Sequence, residues 1–495
     1  MKKIVLYAAL LSAAAGLHTG CSDFLEEDTR GKVFDNVLAR QNGLDAALTG
    51  AYRGWANCWT YGFNNGWATE MTLGGDDLTC PPGTGNTQEF DRYDVKNTNS
   101  SSPSVYWGCY KAIQGANNVL EHYEGCQGDE AVIRMIAGEA YFIRAYSYYW
   151  LVRCHGRLPL MLTAKFDLED LQKEVSPIKA IYTQIESDLG KAVEMLGDSR
   201  RNGEPGRPNR GSALAVLAEV YLSEAGWPLK ETDKYALAAQ TAKKVIDDRA
   251  KYGFDLEDSY AVLYENDETN AGMNKEDIFT IPCNQSNGNT TNAMYGFWAY
   301  PGELGGWDVA FAELTFFNEF PEGPRKEATF ATEVAKEDGT VLSWQQLKNP
   351  RPYYKKLMKS DKAPNYYSFS SSIPMRMLRY SQTVLTYAEA KARSGAPDAL
   401  AYEGVNAIRK RAGLEELAGL STPDFIDKCV WERAWELCGE RCRWFDMVRL
   451  EIVQAIVAKK DPADNQPLHA VTEKDYLFPI PQYDELLNAK LNTPE

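Results

Sequence analysis

Residues 133–152 read IRMIAGEAYFIRAYSYYWLV, and this stretch decides the class of fold. Its apolar side chains recur at intervals of three and four residues, which is the period of an amphipathic helix. Gly156 and Pro159 follow and mark the end of that helix. Pro177 is well placed to open the next helix, which we expect to run to Leu196.

Further stretches rich in Ala and Leu repeat this pattern. Helices are predicted over residues 213–225, 234–248, 378–394, 399–412 and 425–450. Short helices in pairs, with Tyr and Leu at helical spacing, are typical of tetratricopeptide-like (TPR-like) hairpins. We therefore predict a mainly α fold, in which TPR-like helical hairpins form a scaffold and long loop-rich insertions carry a few short strands.

Composition and charge narrow the function. The chain has 495 residues, 44% of them hydrophobic and 25% charged, as in ordinary globular proteins. Its net charge of −16 disfavours nucleic acid as a partner, because phosphate backbones are repelled by an acidic surface. With only 4 His, a metal site or proton relay built on histidine is not expected.

The N-terminus reads as a targeting segment. Lys2 and Lys3 precede a mostly apolar run over residues 4–17, which has the length of a signal-peptide core and is too short to span a bilayer. Small residues then lead to Cys21, as in the lipobox of bacterial lipoproteins, although His18 stands where Leu is usual. We predict a signal peptide over residues 1–20 and lipidation of Cys21; an ordinary secretory signal is the alternative.

Several motifs, in order along almost the whole chain, resemble the SusD/RagB family of outer-membrane nutrient-binding lipoproteins of Bacteroidetes. The longest is EAYFIRAYSYYWLVR at residues 139–153, followed by GRLPL at 156–160. Others are DFL at 23–25, GRPNRGSALAVLAEVYL at 206–222, NAIRKRAG at 406–413, ERAWEL at 432–437, RWFDMVR at 443–449 and LFPIP at 477–481.

The resemblance implies an architecture. It implies one SusD-like domain over residues 21–495. The helical scaffold would occupy residues 36–55, 105–250 and 376–457, and the ligand-binding insertions residues 56–104 and 252–375.

The resemblance also implies a function and a location. The protein would be a non-catalytic glycan-binding lipoprotein, anchored by lipid to the outer membrane at the cell surface. It would pass an oligosaccharide or polysaccharide to a SusC-like TonB-dependent barrel. Peptide uptake of the RagB type is the alternative ligand class.

The candidate site residues lie in the two insertions. Sugars present flat C–H faces, which stack on exposed aromatic rings, and hydroxyls, which bond carboxylates, amides and Arg. The residues chosen on this basis are Trp67, Asp76, Asp77, Arg92, Tyr93, Asn292, Tyr295, Trp298, Tyr300 and Trp307. Trp107 and Tyr110, on a predicted helix, are expected in the core instead.

An enzyme is the third hypothesis. A glycoside hydrolase needs two carboxylates flanking the sugar, and Asp76 or Asp77 with Glu303 or Asp308 supplies such pairs on paper. The resemblance argues against catalysis, so no catalytic residue is expected. No cofactor is expected either, and a structural calcium ion in a loop is left open.

Some conspicuous residues are expected to be structural. Glu139 and Arg144 should pair across helices, and the RWFD corner at 443–446 should bury its rings and bridge its charges. Cys438 and Cys442 lie four apart on a predicted helix, too weak a signal for zinc. Pairing among the nine cysteines after Cys21 is left open.

Overall fold

The structure is a computed structural model. It describes residues 36–58, 68–165, 172–264, 274–284, 286, 292, 299–309, 311–360, 366–368 and 371–492. Helices dominate the described residues, which confirms the predicted mainly α class. Their bounds are α1 Gln41–Ala56, α2 Asn86–Asp91, α3 Pro103–His122, α4 Glu130–His155, α5 Ile178–Met195, α6 Arg210–Glu224, α7 Lys234–Asp247, α8 Arg249–Tyr252, α9 Leu314–Glu319, α10 Pro324–Thr329, α11 Tyr380–Arg393, α12 Ala399–Arg411, α13 Thr422–Leu437, α14 Arg443–Arg449, α15 Val453–Val457 and α16 Gln482–Leu487.

The long helices form a continuous array. α3 packs between α1 and α4, then α4 on α5, α5 on α6, and α6 on α7. α11 extends the array, because it packs on α7 and also on α12 and α13. This succession of helical hairpins confirms the predicted TPR-like scaffold.

Helix α4 is the centre of this scaffold. Asp129 caps its first turn by accepting hydrogen bonds from the backbone N–H groups of Ala131 and Val132. Gly156 ends it with a φ of +71°, a conformation that favours glycine. Nearly every residue of its second half is buried, which explains why apolar and aromatic side chains occupy all sides of the predicted stretch.

Glycines let α1 and α3 approach closely. A Cβ on Gly115 would lie 2.8 Å from the Ala51 Cα, and one on Gly54 would lie 2.7 Å from the Ala112 backbone nitrogen. Both distances are shorter than real Cβ contacts, so neither position has room for a side chain.

The predicted helix over 425–450 is wrong in its middle. The structure divides it into α13 and α14, with Gly439 at φ +69° and Arg441 at φ +67° between them. The Gly439 N–H donates to the Asp77 carboxylate at 2.7 Å instead of continuing a helix. Cys438 and Cys442 therefore flank a turn and do not lie on one helix.

Short strands lie in and beside the second insertion. They are β1 Asp277–Ile281, β2 Phe330–Ala331, β3 Glu333–Ala335, β4 Val341–Ser343, β5 Tyr353–Tyr354 and β6 Met375–Arg379. They pair antiparallel as β1 with β6, β2 with β5, and β3 with β4. β6 takes the first two residues of the helix predicted over 378–394.

Buried ion pairs link distant parts of the chain. Glu139 bonds Arg201 and Arg207, while Arg144 bonds Asp188 on α5 at 2.7 Å, so both residues pair between elements as predicted. The RWFD corner is also confirmed. Trp444 and Phe445 are buried, and Asp446 accepts from Arg433 and Arg449.

Candidate functional site

The structure brings the two candidate insertions together. Thr79 in the first and Phe311 in the second exchange backbone hydrogen bonds, N–H to C=O, at 2.9 and 3.0 Å. More than two hundred residues separate them in sequence. The junction also receives β5, because the Tyr354 hydroxyl donates to the Asp77 carbonyl.

Trp307 lies in the loop of residues 300–309 (the Trp307 loop), which precedes Phe311 in the chain, and 40% of it is exposed. The neighbouring Asp308 carboxylate accepts hydrogen bonds from the Gly302 N–H at 2.7 Å and from the Tyr353 hydroxyl. Asp308 itself is buried and has a φ of +55°. Backbone strain of this kind persists where the surroundings over-determine the conformation, so the backbone next to Trp307 is held in one conformation.

Tyr300 lies at the base of the same loop, and its expected exposure is wrong. The ring is 1% exposed and packs in a small core with Leu304, Phe311 and Tyr353. Its hydroxyl accepts from the Lys359 N–H at 3.1 Å. The Gly, Asn and Pro around it in sequence do not show this, because the packing partners come from other segments.

Asn292 is also buried in the second insertion. Its side-chain amide donates to the Ile373 carbonyl at 2.8 Å, and its backbone N–H donates to the Ser371 carbonyl at 3.0 Å. Its polar groups hold one chain segment to another in this structure. A contact between Asn292 and a ligand stays a prediction.

Asp76 and Asp77 are buried beneath the junction. Asp76 forms a bidentate ion pair with Arg443, at 2.6 and 2.9 Å. Burial raises the pKa of the Asp77 carboxyl to about 7. The Asp76 charge also raises this pKa, whereas the hydrogen bond from the Gly439 N–H lowers it. Both carboxylates hold the turn before α14 against the first insertion, and a ligand role for them stays a prediction.

Arg92 and Tyr93 follow α2. The half-buried Arg92 donates from Nε to the Gln466 carbonyl at 3.0 Å. Tyr93 is buried with a φ of +57°, and its hydroxyl donates to the Gly74 carbonyl at 2.7 Å. Tyr93 thus fixes the first insertion from within, while a ligand contact by either residue stays a prediction.

Four predicted residues lie outside the described ranges. They are the lipidation site Cys21 and the aromatic residues Trp67, Tyr295 and Trp298.

One prediction about the core fails. Trp107 is 38% exposed and not buried, and its indole N–H donates to the Asp484 carboxylate at 2.7 Å. It lies near the start of α3, where α16 covers it only in part. Tyr110, one turn later, is half-buried, as its helical position suggests.

No sequence pattern predicts two of the contacts that support the Trp307 loop. Tyr353 bonds Asp308, and the Lys348 N–H donates to Glu303 at 2.6 Å. Both come from a segment some forty residues downstream that carries no recognisable motif. The same contacts engage Glu303 and Asp308, which are two of the carboxylates that the hydrolase hypothesis would require for catalysis.

Three further features bear on the class of protein, and each concerns only the described ranges. These ranges contain no group of three or more His, Cys, Asp or Glu side chains placed to hold a metal ion. No disulfide links the cysteines that the structure describes. Among the described helices none has both the length and the hydropathy of a membrane span.

Helical scaffolds that position long loops are common among binding proteins. The family profile described as "SusD family" matches residues 322–493. The profile described as "Starch-binding associating with outer membrane" matches residues 23–222. The chain belongs to the SusD/RagB family.

Individual relatives agree along nearly the full length. SusD-like protein P2 of Formosa agariphila is 27% identical, covering 95% of this chain and 95% of its own. The crystal structure of a SusD superfamily protein from Parabacteroides distasonis covers 91% of this chain and 98% of its own, with 24% identity and a TM-score of 0.78. A laminarin-binding SusD-like protein covers 91% and 98%, with 21% identity and a TM-score of 0.75.

Proposed function

We propose that this protein captures a glycan at the cell surface without cleaving it and delivers it to a SusC-like TonB-dependent barrel in the outer membrane. The observation that carries the binding role is the junction of the two insertions beside the loop that contains the exposed Trp307 ring. A flat indole face suits the C–H face of a sugar. The names of the family and of its relatives, which describe starch and laminarin binding, support the glycan class.

We also propose that the protein does not cleave the glycan that it binds. A glycosidase needs one carboxylic acid and one carboxylate with open access to the sugar. Asp76 and Asp77 are buried and bonded to Arg443 and Gly439, and Asp308 is bonded to Tyr353. These internal bonds support binding rather than hydrolysis at the junction.

Binding is tested with the lipid-free chain, residues 22–495, against laminarin, starch, xyloglucan oligosaccharides and mixed peptides. We expect one glycan class to bind by isothermal titration calorimetry, and Trp307→Ala to weaken that binding about tenfold, since aromatic stacking contributes on the order of 1 kcal/mol. Trp107→Ala is the matched control, because Trp107 has almost the same exposure but lies on α3.

The outcomes separate the alternatives. Glycan binding that Trp307→Ala and Trp107→Ala leave equally strong would remove the junction as the site. Binding confined to peptides would replace the glycan proposal with peptide uptake. New reducing ends in the bound glycan would contradict the non-catalytic role.

The location is tested through Cys21. We expect the full chain to sediment with the outer membrane and Cys21→Ala to be released into the soluble fraction, because lipidation requires the cysteine thiol. Protease added to intact cells should degrade the wild-type chain if it faces the exterior. Equal membrane association of the Cys21→Ala variant would contradict lipid anchoring.

A further inference from the structure

Three buried thiols lie close together where α1, α3 and α4 meet. Cys58 follows the end of α1, Cys109 lies on α3 and Cys154 lies near the end of α4, and each is 0% exposed. The Cys58 and Cys109 side chains are hydrogen-bonded to each other. Cys154 is near enough to interact electrostatically with both. Cys58 and Cys109 therefore form a contacting pair, with Cys154 as a third thiol beside them.

The packing of α1 against α3 explains this contact. The two helices run antiparallel, and their close contacts follow the register Ala51–Gly115, Gly54–Ala112 and Cys58–Gly108. A Cβ on Gly108 would overlap the Cys58 Sγ, so the glycine leaves room for this sulfur. The Cys58 Sγ also lies 4.0 Å from the carbonyl oxygen of Val105, one turn before Cys109. Because a helical side chain leans toward the N-terminal turn of its helix, Cys109 covers the same turn.

The pair is also placed at the two ends of the first insertion. Cys58 lies at the start of residues 56–104, and Cys109 lies just after their end. A bond between the two sulfurs would therefore close nearly the whole insertion into one covalent loop. Because a cross-link restricts the unfolded chain more as the loop becomes longer, a loop of about 50 residues gains more stability than a short one.

We propose that Cys58 and Cys109 form a disulfide that closes the first insertion at its base, with a low-molecular-weight disulfide such as oxidised glutathione as the oxidant. The Cys58 thiolate attacks one sulfur of the small disulfide, whose S–S bond breaks, and the small thiol that leaves takes up the proton lost by Cys58. The Cys109 thiolate then attacks the Cys58 sulfur, and the second small thiol leaves with the proton from Cys109. The two cysteines are thereby oxidised, and the small disulfide is reduced to two thiols.

The bond forms while the chain folds. In the folded chain both sulfurs are buried, and burial raises the pKa of the Cys109 thiol well above its usual value. Little thiolate is then available for exchange, whereas in the unfolded chain both thiols are open to the small disulfide. Disulfides persist in compartments outside the cytosol, and the predicted signal peptide would direct the chain there. The chemistry of the pair does not depend on glycan capture.

The test refolds the lipid-free chain, residues 22–495, which has nine cysteines. The chain is reduced and unfolded in guanidinium chloride, refolded in a mixture of reduced and oxidised glutathione, alkylated with iodoacetamide and digested without reduction. We expect mass spectrometry to find the peptide that contains Cys58 linked to the peptide that contains Cys109. Thiol titration of the refolded chain in denaturant should count two fewer thiols than titration of the reduced chain.

Thermal melting gives a second readout with matched variants. The refolded wild-type chain should melt about 5 °C higher than the same chain after reduction, because the bond restricts the unfolded state. Cys58→Ala and Cys109→Ala should each abolish both the link and this difference. Cys154→Ala is the matched control, since this thiol is equally buried beside the pair, and it should retain both. The peptide map of the wild-type chain needs no variant, so it decides the question even if a variant does not fold.

Three results would overturn the proposal. They are a refolded chain that keeps every thiol free, a link from Cys154 to either cysteine in place of the Cys58–Cys109 link, and cysteines that carry only single glutathione groups. None of these results would affect the proposed glycan capture, which calorimetry measures separately. Conversely, failed glycan capture by a chain that contains the Cys58–Cys109 link would overturn the proposed function and keep the disulfide.

Discussion

Asp77 shows how one buried carboxyl connects the first insertion to the scaffold. Its side chain accepts from the Gly439 N–H, its carbonyl accepts from the Tyr354 hydroxyl, and its pKa is raised to about 7, chiefly by burial. A carboxyl with a raised pKa stabilises the fold fully below its unfolded pKa of about 4, and that stabilisation is lost as the pH rises through 7.

We expect Asp77→Asn to remove this pH dependence. The Asn oxygen still accepts from Gly439, but the side chain never ionises. The variant should therefore gain stability relative to the wild type as the pH rises from about 4 to 8. The gain in the free energy of unfolding should be roughly 4 kcal/mol at most. Urea unfolding at several pH values measures the difference. A difference that is constant with pH would contradict a raised pKa.

Residues also show what sequence patterns can and cannot predict. Apolar residues at helical spacing predict α4 and its neighbours, because most of these helices bury one face, which recurs every three or four residues. The Gly, Asn and Pro residues near Tyr300 in sequence favour an exposed ring. The ring is buried because Tyr353 and Phe311 come from other segments, and no local pattern encodes such a contact.

Glycine has opposite roles at two positions in neighbouring elements. Gly115 on α3 faces α1, where a Cβ would lie 2.8 Å from the Ala51 backbone. Gly50 on α1 faces solvent, and nothing lies within 4 Å of a Cβ placed there. The first glycine permits close packing, whereas the second only adds freedom to the unfolded chain.

We expect the two Ala substitutions to change stability in opposite directions. Gly115→Ala should lower the free energy of unfolding by about 1–3 kcal/mol, because a backbone must move to admit the methyl group. Gly50→Ala should raise it by roughly 0.5–1 kcal/mol, the usual gain for replacing glycine within a helix. Thermal melting of both variants provides the measurement. Equal effects at the two positions would contradict the close α1–α3 contact.

Some element boundaries cannot be predicted from sequence motifs. The stretch 425–450 keeps a helical pattern on both sides of Gly439, and no proline interrupts it. The break is imposed by the first insertion, whose Asp77 takes the Gly439 N–H. The division into α13 and α14 is therefore set by a tertiary contact across more than three hundred residues. Similarly, the two insertions could be assigned from composition, but their Thr79–Phe311 contact could not.

At the scale of the whole molecule, buried ion pairs join the segments matched by the two family profiles. Arg433 on α13 donates to Glu219 on α6 at 2.7 Å and to Asp446 on α14 at 2.7 Å. Asp76 and Asp91 in the first insertion pair with Arg443 and Lys460 near the other end of the chain. These links cross the interior, so neither segment has a complete core without the other.

We therefore expect one cooperative unfolding transition, which Trp fluorescence and far-UV circular dichroism should report at the same temperature. Arg433→Met should shift the whole transition, because it leaves Glu219 and Asp446 buried without this cation, at a cost of about 3–5 kcal/mol. Arg134→Met, on the exposed face of α4, is the matched control and should shift it little.

The pH dependence of the Arg433→Met effect follows from Asp446. Burial raises the pKa of this carboxyl, but Arg433 and Arg449 outweigh burial and hold the pKa below its usual value. The stabilisation is therefore present above pH 4 and is lost as the pH falls further. Without Arg433, the buried carboxylate can be neutralised by a proton, so the destabilisation should be smaller near pH 4 than at pH 7. Two separate transitions, of which Arg433→Met shifts only one, would show that the N-terminal and C-terminal segments fold as independent domains.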